Sequence, residues 1–94
     1  MRRVELSAAA VDDLRGLIAA HELPADARRR VGRFLRTLER FPEMGAALTG
    51  LWTGMRFLLG PWRWMLLIFV AVDDRVVVVT IQDARAASSP TAEH

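Results

Sequence analysis

The chain has 94 residues, of which 52% are hydrophobic, and its thirteen arginines and eleven acidic residues give a formal net charge of +2. This length allows one domain with a modest core, and the absence of cysteine excludes a disulfide framework or a thiolate metal site. The longest apolar run, Trp64 to Val72, is shorter than the roughly 20 residues of a membrane-spanning helix. Acidic residues from Glu5 onward interrupt the N-terminus, so we expect neither a secretory segment nor a membrane role, but a cytoplasmic protein.

The N-terminal half predicts one strand and two helices. A short strand over 2–6 is followed by Ser7, a good N-cap for a helix over 8–21. Apolar residues at helical spacing continue in a second helix over 24–41, which Pro42 ends. Two helices joined by so short a break indicate an αα-hairpin.

The C-terminal half predicts three strands at about 55–59, 63–71 and 76–82. Both faces of the middle strand are apolar, which favours an interior position covered on both sides. The fold class is therefore α+β, in the order β-α-α-β-β-β, with a helical hairpin packed on a small antiparallel sheet. We assign residues 1–86 to a single domain and residues 87–94, which are small and polar, to a flexible C-terminal tail.

Four arginines of the second predicted helix share one face. They are spaced by 4, 3 and 4 positions, which aligns them along the helix: Arg29, Arg33, Arg36 and Arg40. Such a run is compatible with an ordinary solvated face. It also suits an acidic partner, either a protein or a nucleic acid, because like charges at this spacing repel one another unless something compensates them.

A second arginine set lies in and after the predicted sheet. If the strands pair in sequence, Arg56, Arg63 and Arg85 approach the same side of the sheet, where guanidinium groups suit phosphate or carboxylate. The alternative is that they are edge residues stacking on Trp62 and Trp64. The local pattern favours this second interpretation.

The residues predict no complete catalytic set. The position of His21 at a helix end is explained by the helix dipole, and His94 lies in the tail. We therefore expect no metal ion and no cofactor.

Four segments of the sequence, taken together, resemble a known protein family. "VELSAAAVDDLRGLI", "LERFPEMG", "GMRFLLGPWRWMLLIFV" and "VVVVTIQDAR" occur in this order over residues 3–85 and resemble the RelE/ParE superfamily of bacterial type II toxins. The resemblance implies a small growth-inhibiting toxin of a plasmid-stabilising kind, neutralised in a hetero-oligomer by a cognate acidic antitoxin. It also implies a surface for the antitoxin or the target, to which we assign Arg29, Arg33, Arg36, Arg40, Trp62 and Trp64.

The resemblance leaves two mechanisms. RelE-like members cut mRNA on the ribosome, and Arg56, Arg63 and Arg85 match basic positions of that branch; ParE-like members inhibit DNA gyrase. Leu58 stands where the nuclease branch has a lysine, and the chain has no tyrosine or lysine to move a proton. We therefore expect a ParE-like inhibitor that acts by binding, with a ribosome-dependent mRNA endonuclease as the alternative. A third alternative is an inert toxin fold that only helps its antitoxin bind operator DNA.

Overall fold

The fold is described by a computed structural model over residues 2–85, and the predicted tail over 87–94 lies outside the described residues. Two helices and five strands follow one another, and the predicted α+β class is confirmed. No helix in this part of the chain has the length and apolar character to span a membrane. The elements are β1 (Arg3–Leu6), α1 (Ala8–Ala20), α2 (Ala27–Arg40), β2 (Ala46–Ala47), a 3-10 turn (Gly50–Trp52), β3 (Arg56–Leu59), β4 (Met65–Val72) and β5 (Arg75–Asp83).

The five strands form one mixed sheet in the order β1-β5-β4-β3-β2. The neighbouring pairs among β2, β3, β4 and β5 are antiparallel, as predicted, whereas β1 runs parallel to β5, with Val4 opposite Val76 and Leu6 opposite Val78. The sheet is thus not purely antiparallel. Local patterns could not reveal this, because the direction in which the first strand meets the last depends on everything between them.

Helix α1 begins where the sequence predicts. The Ser7 hydroxyl accepts a hydrogen bond from the backbone N–H of Ala10 at 3.0 Å and donates one to the carbonyl of Val79 at 2.7 Å. The same side chain therefore caps the helix and ties it to β5.

Helix α2 begins three residues later than predicted. The backbone N–H of Ala27 bonds the carbonyl of Pro24 at 3.0 Å, so the proline lies in a turn before the helix. The helix buries a stripe spaced by 4, 4 and 3 positions, namely Ala27, Val31, Leu35 and Leu38.

Strand β4 is the interior strand that its pattern predicts. Residues 65–69 are all buried. Met65, Leu67 and Phe69 pack with the buried residues of both helices, while Leu66 and Ile68 alternate onto the opposite face and are also fully buried. The helices therefore cover one face of the sheet, and β4 is buried on both.

Asp13 ties α1 to β5 next to an irregularity in the strand pairing. The register between β4 and β5 shifts between Ile68 and Phe69. Beyond this shift, the Asp13 carboxylate accepts hydrogen bonds from the Thr80 hydroxyl at 2.6 Å and from the backbone N–H of Ile81 at 3.1 Å. Asp13 thus couples α1 to the β5 segment that leads to Asp83.

Candidate functional site

The four aligned arginines of α2 face solvent. At about 100° per residue they fall within roughly 60° of the helix circumference, almost opposite the buried residues of the same helix. All four are exposed, and within residues 2–85 none forms an ion pair. We call Arg29, Arg33, Arg36 and Arg40 the arginine stripe.

The flanks of the stripe are mostly basic as well. Arg28 lies on one side, while Arg30 on the other pairs with Asp26 at 3.1 Å and sits 5.7 Å from the centre of the Trp62 ring. Trp62 is half-buried and packs against the core, so it supports the edge of this surface.

The structure separates the second arginine set. Arg56 lies opposite Phe69, whereas Arg63 precedes β4 and Arg85 follows β5, where the Ala84 N–H bonds the carbonyl of Trp64 at 2.7 Å. The ends of the sheet at which they lie are at least about 13 Å apart, since four residues of β4 separate the levels of Met65 and Phe69. Arg63 and Arg85 thus share an end of the sheet, and Arg56 lies toward the other end; whether all three face the same side of the sheet stays a prediction.

Arg56 is turned toward its own loop. As the cross-strand neighbour of Phe69 it belongs to the face of the sheet on which the helices pack, and it is half-buried. Its Nη2 donates a hydrogen bond to the carbonyl of Gly45 at 3.3 Å. Gly45 adopts φ +88°, and a Cβ there would lie 2.3 Å from the carbonyl oxygen of Phe57, so only glycine fits. The hydrogen bond thus directs the guanidinium group of Arg56 toward the loop that contains Gly45.

Four side chains meet at the end of β4 and β5 that carries Arg85. The His21 ring stacks on Trp64 with ring centres 3.9 Å apart, and its Nε2 lies 3.2 Å from Asp83 Oδ2. Arg85 sits 5.7 Å from the centre of the Trp64 ring and forms two side-chain hydrogen bonds to Asp83. We call His21, Trp64, Asp83 and Arg85 the His21–Asp83 cluster.

The electrostatics of this cluster are dominated by one pair. The side-chain hydrogen bonds from Arg85, together with its backbone N–H, lower the pKa of Asp83 to about 2. In return, the hydrogen bond to Asp83 raises the pKa of Arg85. The charge of Arg85 is thus compensated inside the chain, unlike the charges of the arginine stripe.

Sequence reasoning missed the pairing of His21 with Asp83. It explained His21 as a complement to the helix dipole, and the C-cap position of His21 agrees with this. Asp83 carries no local signal of its own. The two are 62 positions apart, and only the packing of α1 on β5 brings them together. Among residues 2–85 no group of three or more His, Asp or Glu residues is placed to hold a metal ion.

An apolar concavity opens at the exit of α2. It has a volume of about 440 Å³ and contains Phe41, whose side chain is 60% exposed although aromatic. The stripe residue Arg40 borders it, so an apolar surface and a basic surface meet at this end of the helix. The lining residues are Arg40, Phe41, Pro42, Glu43 and Met44.

Comparison with known proteins identifies the architecture. No family model matches the chain, and no curated protein matches it. Among solved structures, a chromosomal ParDE toxin–antitoxin system from P. aeruginosa superposes with a TM-score of 0.70 at 15% identity, covering 88% of this chain and 96% of the other. This chain has the RelE/ParE fold.

Two Helicobacter pylori structures share that fold. A copper-bound L66S mutant toxin gives a TM-score of 0.69 at 17% identity, over 88% of this chain and 94% of the other. A conserved hypothetical protein, solved in solution, gives 0.52 at 15% identity, over 86% and 92%. The RelE/ParE fold that the sequence segments indicated is therefore confirmed over almost the full length of these neighbours.

Proposed function

We propose that the chain is the toxin of a type II toxin–antitoxin module and that it arrests growth by binding its target, as ParE-like members do, with DNA gyrase as the candidate target. Its fold, shared with a ParDE system and an H. pylori toxin, supports the first part. One observation carries the second part: the backbone of Arg56 lies about 13 Å along the sheet from the end that holds Arg63 and Arg85, and its side chain is hydrogen-bonded to the carbonyl of Gly45.

The separation matters because cleavage of RNA needs charge and proton transfer at a single phosphate. Arg85 is also held by Asp83, which competes with any phosphate for its guanidinium. Of the three candidate arginines, only Arg63 is neither remote nor held in this way. A binding mechanism requires no such assembly, only a docking surface.

The proposed antitoxin is a small acidic protein. The apolar concavity with Phe41 offers it an anchor, and the tryptophans Trp62 and Trp64 offer half-buried apolar area next to arginines. The arginine stripe, whose last residue Arg40 borders this concavity, is the remaining part of the surface that we assign to the antitoxin or the target.

Induction of the full chain in a bacterial host, with and without a small acidic protein encoded next to it, tests the proposal. We expect growth arrest without the partner and rescue with it, and we expect purified chain to inhibit DNA supercoiling by gyrase. Primer extension on ribosome-bound messages should show no codon-preferring cuts. Cuts that disappear in Arg63→Ala or Arg85→Ala would overturn the mechanism while leaving the toxin assignment intact.

The His21–Asp83 cluster favours a second candidate, the RelE-like endonuclease. A histidine held by a carboxylate beside an arginine is the kind of group that accepts a proton from a ribose hydroxyl. In that case His21→Gln should abolish mRNA cleavage while the protein stays folded. A growth arrest that His21→Gln leaves unchanged would exclude this role.

A further inference from the structure

We propose that the arginine stripe of α2 binds double-helical DNA through its phosphates, without reading its sequence. The inference goes beyond the proposed function, which assigns this stripe to the antitoxin or the target without giving it a nucleic-acid ligand. Its test uses DNA alone, so its failure is distinguishable from failure of the gyrase assignment.

The distribution of charge is the first argument. Residues 26–40 contain six arginines and two acidic residues, whereas the other 79 residues contain seven arginines and nine acidic residues. The net charge of +2 thus arises entirely from α2, and the remainder of the chain is mildly acidic. A positive field confined to one helix attracts a polyanion in one orientation.

The chemistry of the stripe is the second argument. The outward half of α2, between Arg28 and Arg30 around its circumference, carries no apolar or aromatic side chain. An acidic peptide would use the apolar anchors at the borders of the stripe rather than the outward face itself. These anchors lie at the Phe41 concavity beside Arg40 and at a recess lined by Phe34 and Pro61. A single-stranded nucleic acid would need aromatic platforms for its bases. Duplex phosphates need only the charges and the fork-shaped donors that arginine supplies.

The dimensions of α2 favour B-form DNA over an A-form RNA duplex. Along α2, Arg29 and Arg40 lie about 16 Å apart. Arg28 and Arg30 flank the stripe, with Glu39 on the same side of the helix as Arg28 and with Asp26 paired with Arg30. A helix lying in a groove can direct these flanking guanidinium groups toward the phosphates on both sides. The major groove of B-form DNA admits a helix, whereas that of an A-form RNA duplex is too narrow.

The third argument is the position of Gly32 among the arginines of the stripe. This residue lies in the interior of α2, where glycine is a poor helix former, yet a Cβ at this position would meet nothing within 4 Å. Within residues 2–85, no packing contact requires the glycine. It borders a recess of about 320 Å³ whose other lining residues are Arg29, Arg33 and Arg36. A missing side chain between three guanidinium groups allows a phosphate to approach the helix backbone closely.

Fluorescence anisotropy with the full chain and a labelled 24-base-pair DNA of random sequence tests the proposal. If four phosphates are neutralised, the logarithm of the association constant should fall with the logarithm of the salt concentration with a slope of about −3.6. Two unrelated sequences should give affinities within about twofold of each other, because phosphate contacts carry no base information.

Paired variants locate the binding surface. Arg33→Gln with Arg36→Gln should reduce the magnitude of the slope by about 2, whereas Arg33→Lys with Arg36→Lys should preserve it. The matched control is Arg3→Gln with Arg75→Gln, which removes the same charge from β1 and β5 and should leave the slope nearly unchanged. Equal losses in the two glutamine pairs would overturn the proposal, since binding would then follow net charge alone.

A second pair of variants tests the recess. Gly32→Gln fills it with a neutral side chain and should weaken DNA binding by about threefold or more, while Gly16→Gln, in α1 and equally free of contacts, should not. Circular dichroism checks that each variant is folded. No salt-dependent DNA binding, or tighter binding to single-stranded DNA, to an RNA duplex of the same sequence or to poly-glutamate, would refute the assignment of the stripe to duplex DNA.

Discussion

The guanidinium group of Arg85 grips the carboxylate of Asp83 through two parallel hydrogen bonds, Nε to Oδ1 and Nη2 to Oδ2, each 3.1 Å long. The backbone N–H of Arg85 adds a third, to Oδ1 at 2.9 Å. This arrangement lies at the end of β5 and holds Arg85, one of the three arginines that match basic positions of the RelE-like nuclease branch. The carboxylate of Asp83 therefore makes a contribution to stability that depends on pH in the acid range.

We expect the stabilising contribution of Asp83 to disappear in acid. The pKa of its carboxyl is lowered from 3.8 to about 2 in the folded chain, so the contribution is fully present above about pH 4 and is lost as the pH falls through 2. Urea unfolding of the wild type and of Asp83→Asn, from pH 7 to pH 2, measures it. The difference in unfolding free energy should stay constant down to about pH 5 and shrink below pH 4. A difference that persists unchanged at pH 2 would contradict this.

Truncation to alanine should lower the free energy of unfolding very differently at two leucines that pair across β3 and β4. Leu66 is fully buried, whereas its cross-strand neighbour Leu59 is 46% exposed. Leu66→Ala should lower the free energy of unfolding by about 2–5 kcal/mol, and Leu59→Ala by less than about 1 kcal/mol, since it removes little buried area. Chemical denaturation of both variants checks this. Equal losses would show that β4 is not an interior strand in solution.

The hydrogen bond between Asp13 and Thr80 should stabilise the packing of α1 on β5. Removing the carboxylate by Asp13→Ala leaves the Thr80 hydroxyl and the Ile81 N–H without their acceptor, and should cost about 1.5–3 kcal/mol. Thr80→Val removes only one of the two donors and should cost less. A double-mutant cycle measures the coupling, and a coupling energy near zero would contradict the hydrogen bond.

Phe41 should contribute to antitoxin binding rather than to folding. Its side chain is exposed in the concavity at the end of α2, so Phe41→Ser should change the free energy of unfolding by less than about 1 kcal/mol. Affinity for the co-expressed acidic partner should fall by about 2 kcal/mol or more, as for an aromatic anchor. Leu51→Ser is the control, because Leu51 is fully exposed on the 3-10 turn. Equal affinities of the two variants would remove the concavity from the proposed interface.

Much of the architecture could be predicted from the sequence, because the spacing of apolar residues and the residues that cap helices depend only on nearby positions in the chain. The apolar period of 3.6 placed the buried stripe of α2, and Ser7 placed the start of α1. The two apolar faces of β4 marked it as the interior strand. The arginine stripe was likewise predictable, since four residues on one helix face keep their alignment in any fold that contains the helix.

Contacts between distant segments were decided by the tertiary structure. The parallel pairing of β1 with β5, the separation of Arg56 from Arg63 and Arg85, and the meeting of His21 with Asp83 all depend on strand order and register. Residue types and spacing therefore determined the elements, their buried faces and the basic helix. Which charges share a site was set only by packing, because a charged group responds to neighbours within a few ångströms, and those neighbours come from segments as far apart as Arg75 and Glu5, which are 70 positions apart.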